Sequence, residues 1–228
     1  MDERLTLISQ MVKPCRYAAD IGTDHGYLIC ALVGQGIAQR GIAADINPQP
    51  LEKAVRQIAA CGLQEHIHTL CTDGLCGIGE QVDAVILAGM GGELIARILD
   101  DWRYSRRADV SFYLQPMTKA ERLREYLYQA GFSIQQERCC VAAHRPYSVM
   151  EVIFTGQAKE ATPLELWLGA IDPAAGAGEQ AYCSRLRAKL ERKQNGLQQA
   201  ATPKAELDYW RTLCKELQER CNDTIQKV

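Results

Sequence analysis

The sequence predicts an α/β fold: a mostly parallel sheet of seven strands with helices on both faces, followed by an α-helical hairpin. Three observations carry this reading. From residue 16 to about 155, short apolar runs alternate with longer amphipathic ones, which is the pattern of strand–helix–strand units. The last two apolar runs are separated only by residues 142–146, too few for a crossover helix, so they must pair antiparallel. Beyond Thr155 the strand-like runs cease and two long helical patterns remain.

The elements follow in order. A helix over 3–11 places Leu5, Ile8 and, just beyond it, Val12 on one side. Strands are expected over 16–21, 41–45, 67–72, 82–88, 110–114, 134–141 and 147–155, with helices over 27–35, 50–60, 93–101 and 119–130 between them. After a loop carrying Gly169, Pro173, Gly176 and Gly178, helices are expected over 179–199 and 204–226, the first weakened at Asn195-Gly196. Leu186, Leu190 and Leu197 share a face of one, and Leu207, Trp210, Leu213, Leu217 and Cys221 a face of the other, so they pack as an antiparallel hairpin. The expected domains are therefore 1–157 and 158–228.

A chain of 228 residues, 47% hydrophobic and 24% charged, buries a sizeable core. Its apolar runs are strand-length, and the start Met1-Asp2-Glu3-Arg4 is not a basic region followed by an apolar one, so a cytoplasmic protein without membrane insertion is expected. Ten cysteines lie scattered through apolar runs with no C-x-x-C pair, which reads as reduced core residues, the vicinal Cys139-Cys140 included. The four histidines lack the spacing of a zinc site, so no metal is expected, and His66 and His68 read as surface positions alternating on a strand. Net charge of −2 does not mark a protein held on nucleic acid by charge alone. Three local basic clusters stand out: Arg103, Arg106 and Arg107; Lys119, Arg122 and Arg124; and Arg185, Arg187, Lys189, Arg192 and Lys193. Each taken alone reads as a solvated helix face.

The chemistry concentrates at strand ends. Asp20-Ile21-Gly22-Thr23-Asp24-His25-Gly26-Tyr27 closes the first strand and opens a helix, where glycine lets a ligand approach the backbone and helix-start N–H groups face the crevice. Gly22 and Gly26 lie four apart, unlike the G-x-G-x-x-G of a dinucleotide site, and Asp20 and Asp24 would repel a diphosphate. They suit a nucleoside ligand carrying positive charge, such as S-adenosylmethionine. Asp45 ends the second strand 23 residues after Gly22, placed to accept ribose hydroxyls, and Asp73-Gly74 closes the third, placed to accept from an adenine amine. Read singly, these are also ordinary capping or turn residues. The fourth strand ends in Ala88-Gly89-Met90-Gly91-Gly92, a side-chain-poor floor without the Asn/Asp-Pro-Pro-aromatic tetrapeptide usual in enzymes that methylate the exocyclic amine of adenine.

Those motifs, with Ile42-Ala43-Ala44-Asp45, Ile86-Leu87, Leu114-Gln115-Pro116, Leu123-Arg124-Glu125-Tyr126-Leu127 and Gly131-Phe132, resemble in order and spacing the bacterial tRNA (adenine(22)-N1)-methyltransferase family over residues 4–155. The resemblance implies a Rossmann-like methyltransferase sheet and a class I enzyme with S-adenosyl-L-methionine as cofactor and tRNA as partner, a monomer being expected. It implies that Gly22, Asp45, Asp73 and the loop of 89–92 fall on the cofactor side, with Asp24, His25 and Tyr27 near the target base. The cofactor contacts expected in all are Asp20, Gly22, His25, Gly26, Asp45, Ile46, Asp73, Gly74, Ala88 and Gly89, and the expected catalytic residues are Asp24, Tyr27, Gly89 and Met90. Where many members carry Gln-Pro-Asn, this chain has Gln115-Pro116-Met117. Two other classes remain open at this point: a nicotinamide-dependent oxidoreductase, and a noncatalytic RNA-binding protein that retains the pocket.

Overall fold

The computed structural model describes residues 1–200 and 203–225, so the end of the helix expected over 204–226 lies outside the described residues. In order, the chain forms α1 (Glu3–Met11), β1 (Cys15–Ile21), α2 (Tyr27–Gly34), β2 (Ala38–Asp45), α3 (Pro48–Ala60), β3 (Ile67–Cys71), β4 (Ala84–Gly91), α4 (Gly92–Asp101), β5 (Ser111–Thr118), α5 (Ala120–Gln129), β6 (Phe132–Ala142) and β7 (Arg145–Phe154). The short α6 (Pro163–Trp167) and the long α7 (Ala177–Gln199) and α8 (Lys204–Ile225) follow. One seven-stranded sheet has the order β3-β2-β1-β4-β5-β7-β6, with only β7 antiparallel to its neighbours.

Strand side chains alternate between the two faces, and the burial follows that period of two. Ala19, Ile21, Ile42, Ala44, Val85 and Leu87 join the core beneath α4 and α5, whereas Ala18, Ala43, Ala84 and Ile86 join the core beneath α1, α2 and α3. Strands buried on both faces need continuous apolar runs, which is why the central ones carry no polar alternation. Strand order reverses between β1 and β4, and in open α/β sheets the carboxyl ends of the strands at such a reversal are where ligands bind.

The β6–β7 connection is tighter than expected: Ala142 pairs with Arg145, so Ala143 and His144 alone make the turn, both with positive φ (47° and 60°). Two left-handed residues match the twist of a hairpin, at some steric cost without glycine. His66 precedes β3 instead of alternating on it, although both His66 and His68 are exposed. Asn195-Gly196 does not interrupt α7, which runs through it to Gln199. Leu197 stays outside the third core, where Leu186, Leu190, Leu213 and Leu217 join Leu168, Ile171 and Cys139 of β6.

One member of the expected basic clusters is not a surface group. Arg124 of α5 is fully buried and donates from Nη2 to Glu137 Oε1 (2.6 Å) and to the Tyr182 hydroxyl (3.2 Å), and from Nη1 to the carbonyls of Leu166 (2.7 Å) and Trp167 (3.1 Å). Burial opposes its charge, but the Glu137 carboxylate and Tyr182 more than offset that and hold the guanidinium above its ordinary pKa. Gly169 has φ +76°, and a Cβ there would collide with both Arg124 and Glu137. A second tie forms where buried Glu179 accepts from Arg138 Nε (2.9 Å) and from the Cys139 N–H (3.0 Å).

Candidate active site

At the reversal point, β1 ends in a turn that its neighbours hold in place. The N–H groups of Gly22 and Thr23 donate to the Ala44 carbonyl (2.8 and 3.0 Å), and Gly22 takes φ +73°. The Met90 methyl lies 2.6 Å from where a Cβ on Gly22 would stand, so glycine here admits the β4 side chain across the rim. Gly26 caps the start of α2 with φ +72°, and a Cβ there would stand only 3.1 Å from the Ala54 Cβ of α3. Its glycine is thus accounted for by helix packing.

Asp20 of β1 pairs with Ala43 of β2, and Asp45 lies two residues further along β2; the two carboxylates are 4% and 8% exposed. Asp20 accepts from Thr23 Oγ1 (2.7 Å) and from the N–H of Ile29 in the first turn of α2. Burial pushes its carboxyl up to about 6, the Asp45 charge adding to the effect and the two hydrogen bonds opposing it. Asp45 accepts from the Asn47 N–H (2.9 Å) beside the exposed Ile46. Asp73 continues the rim past β3: Thr72 N–H donates to the Asp45 carbonyl (3.0 Å), and Asp73 is exposed over a cleft of about 620 Å³ shared with Gly74, Ile98 and Trp102.

The glycine-rich segment differs from an open floor. β4 continues through it to Gly91 with a bulge between Ala88 and Met90, and only Gly89, with φ +78°, has open space where a side chain would go. A Cβ at Gly92 would strike the Lys119 carbonyl, so that glycine serves the approach of α5. Across the opening, Asp24 is exposed with φ +51°, and the His25 and Tyr27 rings stack with centroids 5.3 Å apart and planes within 6°. His25 Nε2 lies 3.6 Å from Asp24 Oδ2.

Sequence reading missed two residues here. Gln115, fully buried within β5, accepts from the Gly89 N–H through Oε1 (3.0 Å) and from Arg4 Nη1 (3.3 Å), and its Nε2 donates to the Pro116 carbonyl (3.1 Å). Arg4 of α1 also reaches Met117 Sδ (3.1 Å) and lies 5.5 Å from the Tyr147 ring centroid. The Gln-Pro dipeptide marked the place but not the contact, and nothing in the sequence marked Arg4.

The model of a family described as "Methyltransferase domain" matches residues 1–150. The chain belongs to this methyltransferase domain family. Among relatives, the tRNA (adenine(22)-N(1))-methyltransferase of Bacillus subtilis is 36% identical over 138 residues, 60% of this chain and 58% of that protein. The chain thus spans less than two thirds of that relative's length. Among solved structures, Streptococcus pneumoniae Sp1610 in complex with S-adenosyl-L-methionine superposes with a TM-score of 0.82 at 26% identity, covering 97% of this chain and 99% of that one. The Bacillus subtilis m1A22 tRNA methyltransferase TrmK superposes at 0.78 with 26% identity, covering 99% and 97%. The likeness spans the helical extension as well as the methyltransferase domain. Among the described residues, no three His, Cys, Asp or Glu side chains cluster as metal ligands, and no helix is long and apolar enough to cross a membrane.

Proposed function

We propose that this chain is an S-adenosylmethionine-dependent methyltransferase that methylates N1 of adenine 22 in tRNA, in the cytoplasm, with residues 1–157 as the catalytic domain and 158–228 as the extension. The observation that carries this reading is the run of carboxylates along one rim, Asp20, Asp45 and Asp73 at successive strand ends, two of them buried with no cationic side chain bonded to them. A buried carboxylate without a protein cation suits a ligand that brings positive charge and hydroxyl donors. The names of the Bacillus subtilis relative and of the superposed structures support the donor and the acceptor.

When bound, S-adenosylmethionine supplies an electrophilic methyl on a sulfonium. On this reading Asp20, Gly22, His25 and Gly26 face its amino acid end, Asp45 and Ile46 its ribose and base, Asp73 and Gly74 the exocyclic amine, and Ala88 and Gly89 the opening. Adenine N1 has a free in-plane lone pair, so no general base is required and positioning is the main catalytic contribution. Because N1 lies on the Watson–Crick edge, the base must leave its pair and stack. Tyr27, held by His25, offers a ring face to the extruded base beside Gly89 and Met90, and Asp24 accepts from its amino group and balances the positive charge that the product ring acquires.

The test is methyl transfer to unfractionated bacterial tRNA followed by digestion to nucleosides. 1-Methyladenosine is expected, and a methyl on any other atom overturns the reading. Replacing Asp24 by Ala is expected to lower turnover with S-adenosylhomocysteine binding intact, and unchanged turnover removes Asp24 from the target side. Titration with S-adenosylhomocysteine and NAD separates this reading from an oxidoreductase.

A further inference from the structure

A basic cleft of about 410 Å³ lies where the sheet meets the extension, and it is distinct from the donor rim. It begins at Met117 and Thr118 on the end of β5, the strand whose Gln115 holds Gly89, and runs along α7. Its cations are Lys119, Arg185, Lys189 and Arg192, against the single carboxylate of Glu121. Lys189 sits 4.5 Å from the Trp167 ring centroid and 4.0 Å from Glu121 Oε2. Lys119 is paired with Glu93 of α4.

The cleft also includes Ser148, which is 2% exposed and whose Oγ has no hydrogen-bond partner among the described residues. Buried hydroxyls are rarely left unpartnered, and one that lines the same cleft as four cations is a donor matched to an anionic oxygen. Tyr147 and Trp167 add apolar ring surface of the kind a ribose or base covers.

We propose that this cleft is an RNA subsite that takes the phosphodiester of an unpaired nucleotide beside the target adenine, with Ser148 Oγ, Arg185 and Lys189 as its donors. The proposal rests on tRNA being the substrate. It differs from a general attraction to the extension because it names one strand, leaving the opening at Gly89 and turning onto α7. Base extrusion leaves the flanking backbone splayed, and the cleft holds it splayed.

The experiment measures tRNA affinity across a salt series for the full chain, for an Arg185→Ala/Lys189→Ala variant, for Ser148→Ala, and for a control Lys53→Ala/Arg56→Ala variant that removes the same charge from α3. The cleft double variant is expected to bind about tenfold more weakly at low salt, with a slope of log affinity against log salt reduced by about 1 to 2, while the control keeps the wild-type slope. Ser148→Ala is expected to weaken tRNA binding several-fold with no loss of melting temperature, since it removes an unsatisfied group from the folded state. S-adenosylhomocysteine affinity is expected to be unchanged in all. If the wild type binds and methylates tRNA but the cleft variants match it, the subsite is refuted alone. If the wild type neither binds nor methylates tRNA, the underlying reading falls with it.

Discussion

Two parts of this molecule bury charge, and they do so in opposite ways. At the junction with the extension, Arg124 and Glu137 are both fully buried, and the guanidinium is spent on one carboxylate, one hydroxyl and two carbonyls. At the carboxylate rim, Asp20 and Asp45 are nearly as buried yet near enough for their charges to repel, bonded to a hydroxyl and backbone N–H groups but to no cationic side chain. A charge that the chain neutralises itself fixes structure. A charge that it leaves exposed to its neighbour's repulsion is kept for something that binds.

The largest way to break that contrast is at the junction. Replacing Arg124 by Leu strands Glu137 in the core, and loss of one partner from a buried pair costs about 3–5 kcal/mol. Urea unfolding of the variant is expected to show that loss, together with early opening of the extension under limited proteolysis. A loss below about 1 kcal/mol would mean that the junction tolerates an unpaired carboxylate, and the two regions would then differ only in degree.

The rim is expected to respond with the other sign. Because burial raises the folded-state carboxyl of Asp20 to about 6 from an ordinary value of 3.8, the folded chain binds more protons than the unfolded one between those values, and stability falls as pH rises through that window. The shift corresponds to about 3 kcal/mol, fully felt above pH 6. Asp20→Asn keeps an acceptor for Thr23 and is expected to flatten the melting temperature between pH 4 and 7 relative to wild type. Affinity for S-adenosylmethionine is expected to rise through pH 6 in the wild type as the carboxylate ionises, and to lose that rise in the variant. Parallel profiles for the two proteins would show that Asp20 does not titrate there.

A smaller effect is expected at Asp45. Loss of a charged acceptor typically costs about 1.5–3 kcal/mol, so Asp45→Ala should weaken S-adenosylhomocysteine binding by roughly 10- to 100-fold in calorimetry. Tight binding by this variant would move the ribose away from the end of β2.

How far these sites were legible in the sequence follows the same division. The strand-end carboxylates of the rim could be placed from local pattern alone, because a strand, a turn glycine and an acid are adjacent in the chain. Arg124 read as part of a surface cluster because its partners lie 13 to 58 residues away, on β6, α6 and α7. The glycines of 89–92 read as one open loop, whereas folding gives them separate tasks: Gly89 faces open space and Gly92 yields to the Lys119 carbonyl. The short α6, entered through a capping box at Thr162 and Glu165 and through Pro163, was missed because five residues carry too little periodicity to stand out. Gln115 was quoted as a motif residue without a role, since hydrogen bonding across two strands leaves no spacing signal.

That residue provides the smallest and most discriminating prediction. Gln115 belongs to both patterns, being fully buried and satisfied like the junction, but satisfied by the backbone of the opening. Gln115→Leu removes the acceptor for the Gly89 N–H while preserving bulk, and Gln115→Glu keeps an acceptor there. If Gln115 serves to position the Gly89 segment, Leu is expected to lower kcat about tenfold, equivalent to about 1.4 kcal/mol of lost positioning, with S-adenosylhomocysteine affinity little changed and with Glu restoring part of the rate. If its role is only packing, Leu and Glu will shift melting temperature without separating in kcat, and Gln115 will group with Arg124 instead of the rim.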